Sequence, residues 1–397
     1  MLSRPNEDEK AGIGQDGGMR IPFAQSARST VGIEWELALV DADSGDLRQV
    51  AQTVLDAVAP AGGGEHPHIR QELLLNTVEV ISGVCTTVRE AGDDLERSIA
   101  QVRKVTDPLR VELMCAGTHP FARWTYQKVT DEKRYATLID RTQWWGRQML
   151  IYGVHVHVGI EDRDKVLPIS RAMLTYFGHL QAMSASSPFW GGEDTGYASN
   201  RALMFQQLPT AGLPFQFARW EELEAYTADM MHTGVIDEFS EIRWDLRPAP
   251  KFGTLEVRIC DGSPNLAEVL SLAALTHCLV EHFSSELDAG RELPTIPTWF
   301  AQENKWRAAR YGMEAILILD SAGNEELVTD DIAKLLHKLE SVADRLGCID
   351  ELGGINNIVR DGASYQRQRA VAEKHGGALD AVVGSLVEEM RAGHSLL

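Results

Sequence analysis

One pattern constrains this chain more than any other: strand-like segments in which ionisable side chains alternate with apolar ones. In TVGIEWELALVD, the apolar side chains, Trp35 among them, face one way, and Glu34 and Glu36 face the other. LIYGVHVHVGI repeats the arrangement with His155 and His157 on one face. Uncompensated carboxylates are costly on a face that a core covers, and a bound cation would relieve that cost. The pattern therefore predicts a sheet with one apolar face and one face of possible metal ligands.

Two further segments carry ionisable pairs. Glu256 and Arg258 lie opposite the apolar side chains of GTLEVRIC, and HIRQELLLNTVEVIS contains Glu72 and Glu79. A spacing of seven would put those two glutamates on opposite faces of an unbroken strand, so either Asn76 marks a turn or one of them points elsewhere. Each pair alone is consistent with a solvated surface, whereas the four together indicate one ligand-lined face. Four or five acids with an imidazole resemble a Mg²⁺ or Mn²⁺ site more than a zinc site.

The remaining periodicity sets the fold class. Helical spacing is found at 86–109, 165–184, 266–287, around 304–318, 330–346 and 364–390, and further strand patterns at 111–117, 242–246 and 253–260. Strands and helices do not alternate as βαβ units. We therefore expect an α+β fold, with helices packed on an antiparallel-rich sheet. Residues 1–28 are expected to form a disordered arm, and 29–397 one large domain with a mostly helical C-terminal part.

Composition and short motifs exclude several classes of function. With 38 Lys and Arg against 58 Asp and Glu, the net charge of −20 disfavours a nucleic acid or an anionic membrane as partner. No apolar run approaches the roughly 18 residues of a membrane span. Five scattered cysteines without a CxxC pair are typical of reduced thiols in the cytoplasm. A GxGxxG at Gly12, Gly14 and Gly17 follows no strand pattern and opens no helix, and the chain lacks the Gly-Lys pair of a P-loop.

The segments GIEWEL, QELLLNTVEVISGVC, GVHVHVGI, DTGYASNRALMFQQLPTAGLP and FGTLEVRICD occur in this order. Together they resemble the glutamate–cysteine ligase type 2 family, in its carboxylate–amine ligase branch, over about residues 31 to 370. The resemblance implies a glutamine-synthetase-like catalytic fold, in which an antiparallel sheet forms a funnel that holds ATP and two or three Mg²⁺ ions. It also implies ATP-dependent formation of an amide through an acyl phosphate.

Residue roles follow from the same resemblance. It implies one metal held by Glu36, Glu72 and Glu79, and another, nearer the transferring phosphate, held by Glu34, His155 and Glu256. Arg258 would neutralise the γ-phosphate, Arg247 would also contact phosphate, and His157 would support a ligand or line the nucleotide side.

The substrate side of the implied site is defined by fewer residues. Arg201 in GYASNR would grip the α-carboxylate of the substrate through a bidentate pair, and Asn304 and Arg310 in ENKWRAARYG would lie near it.

Several activities remain open at this point. L-Glutamate and L-cysteine are the leading substrate pair, and the same mechanism could join another acid or another amine. A two-metal phosphohydrolase and a non-catalytic nucleotide- or metal-binding protein are the alternatives. The family and the prevalence of two-fold assemblies suggest a homodimer.

Overall fold

An antiparallel sheet forms the centre of the protein. The computed structural model describes residues 12–13 and 19–396. Its strands are β1 Gly12–Ile13, β2 Met19–Arg20, β3 Val31–Asp41, β4 Ile69–Gln71, β5 Thr77–Ile81, β6 Val111–Met114, β7 Val154–Gly159, β8 Phe189–Trp190, β9 Glu193–Asp194, β10 Leu246–Ala249, β11 Thr254–Val257, β12 Ile316–Ile318 and β13 Glu325–Leu327. The central sheet has the order β10-β11-β7-β3-β5-β4, and β6 also pairs with β3. Each of these pairs is antiparallel.

Helices make up most of the rest of the chain. They are α1 Ala51–Val58, α2 Val88–Thr106, α3 Lys133–Arg147, α4 Arg163–Met173, α5 Phe177–Ser184, α6 Arg201–Phe205, α7 Trp220–His232, α8 Leu266–Asp288, α9 Thr298–Tyr311, α10 Val328–Leu346, α11 Ile349–Gly353, α12 Ile355–Asp361, α13 Ser364–Lys374 and α14 Leu379–Ala392. From α8 onwards the chain is mostly helical, and α8 packs against β7 and against helices α2, α4 and α10. The predicted α+β class is confirmed.

The two faces of the sheet differ as the alternation predicts. On β3, Ile33, Trp35 and Leu37 are buried within the hydrophobic core, whereas Glu34 and Glu36 stay partly exposed. Trp35 is fully buried, so it points away from the two glutamates that flank it. Burying the apolar stripe against the helices stabilises the sheet and leaves the ionisable face open.

Several boundaries differ from those expected. The predicted strand at 242–246 begins only at Leu246, because Phe239–Glu241 form a 3₁₀ turn and the next four residues are irregular. The predicted helix at 364–390 is two helices, since Gly376 and Gly377 adopt positive φ angles of 64° and 89° that end α13. Asn76 lies in the turn between β4 and β5, so the chain from Glu72 to Glu79 is not one unbroken strand. The spacing of seven therefore does not put the two glutamates on opposite faces.

Part of the predicted disordered arm is packed on the fold. Ile21 is buried, its amide donates to Glu224 at 2.9 Å, and its carbonyl accepts from the indole of Trp220 at 3.0 Å. Ala24 donates to the Pro250 carbonyl, in the turn between β10 and β11. The expectation of disorder is therefore wrong for residues 19–28, because apolar contacts and hydrogen bonds hold them. Residues 1–11 and 14–18, with Gly14 and Gly17 of the GxGxxG, lie outside the described residues.

Helix α8 is long and apolar enough to cross a membrane by length and composition. However, 83% of its most apolar window is buried within the protein. Its apolar character is therefore accounted for by its place in the core.

Three of the C-terminal helices meet at a buried charge network, which yields a stability prediction. Arg367 on α13 bonds Glu389 on α14 at 2.8 Å and Glu268 on α8 at 2.5 Å. We expect Arg367→Ala to cost about 3–5 kcal/mol, because it leaves two buried carboxylates uncompensated. Urea unfolding followed by circular dichroism measures this loss. The control Arg219→Ala, which breaks an exposed ion pair with Glu222, should cost no more than about 1 kcal/mol; equal losses would contradict the account.

Candidate active site

The register of the sheet brings the ionisable side chains of four strands onto one face. Glu36 of β3 pairs with Glu79 of β5, and Glu34 pairs with His155 of β7. His157 in turn pairs with Glu256 of β11. Directly paired residues on neighbouring strands point to the same side of a sheet. The antiparallel register is therefore what turns separate sequence motifs into one site.

Three overlapping groups on this face each offer ligand atoms within 4.8 Å of one another. The groups are Glu36 with Glu72 and Glu79, Glu34 with Glu79 and His155, and Glu34 with His157 and Glu256. The first group is the set expected for one metal. The set expected for the other metal was Glu34, His155 and Glu256. In the structure, Glu34 and Glu256 group with His157 instead, and His155 groups with Glu34 and Glu79. The sequence could not separate the two histidines, because they share one face of β7.

Arginine compensates the carboxylate at the β11 end of the face. Glu256 is 1% exposed, its Oε2 accepts from Arg247 at 2.7 and 2.9 Å, and its Oε1 pairs with Arg258. Burial alone would raise the pKa of Glu256, but Arg247 and Arg258 together hold it well below the ordinary value. This carboxylate is therefore ionised at neutral pH.

The two histidines sit between this carboxylate and Glu34. His155 Nδ1 lies 3.1 Å from Glu34 Oε2, and His157 Nε2 lies 3.3 Å from Glu34 Oε1. Burial lowers the pKa of His155, as does the nearby Arg258 charge. For His157, burial is outweighed by Glu256 and Glu34, which raise its pKa. Thr254 Oγ1, 2.9 Å from His157 Nδ1, fixes the orientation of the second ring.

Glu72 and Glu79, towards the β4 end of the face, are less well compensated, because the charges of Arg134 and Arg258 do not outweigh burial and the neighbouring carboxylates. Burial and the charge of Glu36 raise the pKa of Glu72 to about 8. Burial and the charge of Glu34 also raise the pKa of Glu79 well above its ordinary value. Crowded carboxylates shift in this way when they lack a counter-charge. An all-oxygen set of this kind fits a hard divalent cation such as Mg²⁺ or Mn²⁺, and the imidazole groups beside it are compatible with Mn²⁺.

A cavity of about 810 Å³ opens over this face. Glu34, Glu72, Glu79 and His157 line it, whereas Glu36, His155 and Glu256, which complete the ligand groups, are not among the lining residues. This volume is within the range of small-molecule sites. Side chains that the sequence analysis did not single out also line the cavity: Arg70, Arg134, Lys251, Phe252 and Thr254. Arg70 lies on β4, Arg134 on α3, and the other three on the β10–β11 turn and on β11. Arg70, Phe252 and Thr254 fall within segments quoted above, but nothing in the sequence distinguished them from their neighbours there.

The predicted substrate residue Arg201 lies behind His155. It is 4% exposed, its Nη1 donates to the Arg258 carbonyl at 3.1 Å, and its Nη2 lies 3.4 Å from His155 Nε2. Gly153 makes room for this guanidinium, because a Cβ at that position would lie 2.1 Å from Nη2. Its predicted grip on a substrate carboxylate stays a prediction, and its present contacts orient His155.

Asn304 and Arg310 lie on α9, the helix in which the late motif was found. Both ends of the Asn304 amide are bonded to the main chain of Ile318, at 2.7 and 2.8 Å. Arg310 donates to the Gly196 carbonyl and lies over the ring of Tyr197. Neither residue lines the 810 Å³ cavity, so their roles near the substrate also stay predictions.

Solved structures with a similar fold are ligases. A glutamate–cysteine ligase from Francisella tularensis, in complex with AMP, matches 93% of this chain and 90% of its own with a TM-score of 0.66 at 14% identity. A bifunctional glutathione synthetase from Pasteurella multocida matches 91% of this chain and 51% of its own with a TM-score of 0.64 at 16% identity. At these identities the similarity establishes the fold.

Sequence relatives are far more similar. A protein of Arthrobacter sp. (strain FB24), provisionally named glutamate–cysteine ligase 2-1, is 62% identical over 380 residues, which cover 94% of this chain and 99% of the relative. One from Mycobacterium tuberculosis (strain H37Rv), provisionally named glutamate–cysteine ligase 2, is 58% identical over 371 residues, covering 94% and 97%. The model of glutamate–cysteine ligase family 2 matches residues 30–385. The resemblance read from the motifs is therefore confirmed, and this chain belongs to glutamate–cysteine ligase family 2.

Proposed function

We propose that this protein is an ATP-dependent carboxylate–amine ligase, with L-glutamate and L-cysteine as its leading substrate pair. The observation that carries the proposal is the row of three overlapping ligand groups on one face of the sheet, each with two members that line one cavity, and with Arg258 beside Glu256 at one end of the row. A carboxylate is a poor acyl donor until its oxygen becomes part of a good leaving group. Transfer of the γ-phosphoryl group of ATP to that oxygen releases ADP and gives an acyl phosphate. An amine then attacks the acyl carbon, and the amide forms as inorganic phosphate leaves and the amine nitrogen loses a proton.

The metal would be held by the carboxylates and histidines of the sheet face. Glu36, Glu72 and Glu79 offer one all-oxygen set, and Glu34, His157 and Glu256 offer a mixed set, with His155 in support. When bound, Mg²⁺ would neutralise phosphate charge and align the phosphoryl group. The raised pKa values of Glu72 and Glu79 support this assignment, because a bound cation would stabilise the charged forms of both carboxylates.

Arginine would supply the remaining charge during phosphoryl transfer. Arg258 is 16% exposed and shares Glu256 with Arg247, so both guanidinium groups are fixed at one end of the ligand row. A phosphoryl group in transfer carries negative charge on its equatorial oxygens, and fixed donors stabilise it. We assign Arg258 to that contact, and Arg247 to phosphate and to holding Glu256.

This mechanism needs no nucleophilic side chain. All five cysteines are buried and free of disulfide bonds, and none is among the described residues that line the cavity. The free thiols also support the proposal that the protein works in the cytoplasm. Arg201, Asn304 and Arg310 remain proposed substrate-side residues, and a homodimer remains the proposed assembly.

Measurement of ADP and product tests this proposal. The purified protein is given Mg²⁺–ATP and L-glutamate, with and without L-cysteine, and then with other amino acids and amines. Release of ADP that depends on the acceptor, together with an amide product, is the expected result. Phosphate release without an acceptor would favour a two-metal phosphohydrolase, and nucleotide binding without turnover would favour a non-catalytic protein.

Glu256→Gln should lower turnover at least about 100-fold, because it removes the buried charge that fixes two arginines and one ligand group. Steady-state ADP release measures the loss, and circular dichroism confirms that the variant is folded. The matched control is Glu351→Gln, which neutralises another buried glutamate, one paired with Arg89 and remote from the cavity lining. A Glu256→Gln enzyme of near-normal rate would remove this residue from the site.

Removal of the divalent cation should abolish ADP release, and added Mg²⁺ should restore it. Mg²⁺ alone should also raise the melting temperature, because binding to the folded state stabilises it. Thermal melts with and without Mg²⁺ measure this shift independently of activity. We expect Mg²⁺ to raise the melting temperature of Glu72→Gln less than that of the wild-type protein. It should raise that of the exposed control Glu193→Gln by the wild-type amount. A wild-type rise in Glu72→Gln would place the cation elsewhere.

A further inference from the structure

Three cationic side chains, Arg70, Arg134 and Lys251, line the cavity, and they come from opposite ends of the sheet. Lys251 is on the turn between β10 and β11, whereas Arg70 is on β4 and Arg134 is on α3. Five strand spacings separate β10 from β4 in the sheet, which is roughly 24 Å. Arg70 therefore lies at the opposite end of the sheet from Lys251 and from the Arg247–Glu256–Arg258 cluster.

Arg70 shares the ligand-lined face. It pairs with Glu79 across β4 and β5, so its side chain leaves the sheet on the same side as that glutamate. Its ion pair is nevertheless with Glu65, at 2.6 Å, whose side chain is 73% exposed. Its Nε is buried and has no hydrogen-bond partner among the described residues. One donor of this guanidinium is thus free inside the protein.

Arg134 reaches the same stretch of chain from the first turn of α3. Its Nη2 donates to the hydroxyl of Tyr135 at 2.5 Å and lies 3.5 Å from the carbonyl of Gln71, the residue after Arg70. Its ion pair, at 3.1 Å, is with Glu132 on the same segment, and the Arg134 side chain is 63% exposed. The two guanidinium groups therefore flank residues 70–72, next to the ligand Glu72.

Both arginines are held by partners that a ligand can replace. Exposed ion pairs such as Arg70–Glu65 and Arg134–Glu132 contribute about 1 kcal/mol or less. A guanidinium matches a carboxylate with two parallel hydrogen bonds, a contact that lysine cannot reproduce. Arg201, by contrast, is buried and bonded to protein groups.

We propose that Arg70 and Arg134 form the subsite for a free carboxylate of an amino-acid substrate, so that this ligase selects amino acids over the corresponding simple amines. The inference rests on the proposed function and deepens it by naming the substrate group that is recognised. That carboxylate belongs either to the acceptor or to the α-carbon of the donor acid. Both sources have the same chemistry, and matched substrates separate them.

The experiment compares each amino acid with the analogue that lacks only the carboxylate in question. L-Cysteine is set against cysteamine as the acceptor, and L-glutamate against 4-aminobutyrate as the donor. Steady-state kinetics are measured for the wild-type enzyme, Arg70→Gln and Arg134→Gln. Arg147→Gln, at the exposed far end of α3 and outside the cavity lining, is the matched control.

We expect each cavity variant to raise KM for one amino acid at least about tenfold, the loss associated with a charged hydrogen bond. In these variants, KM for the analogue without the carboxylate and KM for ATP should stay at the wild-type values. In the control Arg147→Gln, all KM values should stay at the wild-type values. A selective effect on cysteine assigns the subsite to the acceptor, and one on glutamate assigns it to the donor. Arg134→Lys should recover only part of the loss, since it restores charge without the planar fork.

Other outcomes overturn the inference. If an amino acid and its analogue lose rate equally, or if only KM for ATP rises, the arginines do not recognise a substrate carboxylate. In either case the wild-type enzyme still forms an amide, so the proposed function survives. If the wild-type enzyme forms no amide with any pair, the proposed function fails and this inference fails with it.

Discussion

Mutual repulsion among carboxylates on one face of the central sheet is the interaction on which the rest of the site depends. Glu34, Glu36, Glu72 and Glu79 are drawn together by strand pairing and by the turn at Asn76. Their crowding is tolerable because the opposite face of the sheet buries a continuous apolar stripe against the helices. Burial of the apolar face thus offsets the destabilisation that repulsion among the carboxylates causes on the other face.

The charges on this face are unevenly distributed, because arginines are paired with a carboxylate at one end only. At the β11 end, Arg247 and Arg258 surround Glu256 and keep it ionised. At the β4 end, Glu72 has no such partner, and its pKa rises to about 8. One end therefore carries fixed positive charge beside a carboxylate, and the other carries crowded carboxylates whose charged forms a cation would stabilise. A site for transfer from a metal-bound nucleotide requires both features.

Local patterns were enough to predict much of this arrangement. Alternation along TVGIEWELALVD and LIYGVHVHVGI predicted both strands and the faces of Glu34, Glu36, His155 and His157, because a strand's period of two is a local property. The set Glu36, Glu72 and Glu79 also came together as the family resemblance implied.

The features of the site that could not be predicted from the sequence depend on contacts between distant parts of the chain. His155 and His157 were indistinguishable until pairing with β3 and β11 set their neighbours. Arg134 lies 62 residues after Glu72 on an exposed helix, so no spacing rule connects it with the cavity. Residues 19–28 were predicted to belong to a disordered arm, yet Phe23 packs edge-on against Trp220, whose indole donates to the Ile21 carbonyl, and Arg28 bonds to Glu281.

Anomalous diffraction from crystals soaked with Mn²⁺ and a non-hydrolysable ATP analogue tests the central claim most directly, namely that the open face of the sheet is a metal–nucleotide centre. The account predicts Mn²⁺ peaks within coordination distance of Glu36, Glu72 and Glu79 and of Glu34, His157 and Glu256, with the terminal phosphate of the analogue beside Arg258. Mn²⁺ bound only to surface acids, or a nucleotide bound away from this face, would contradict it.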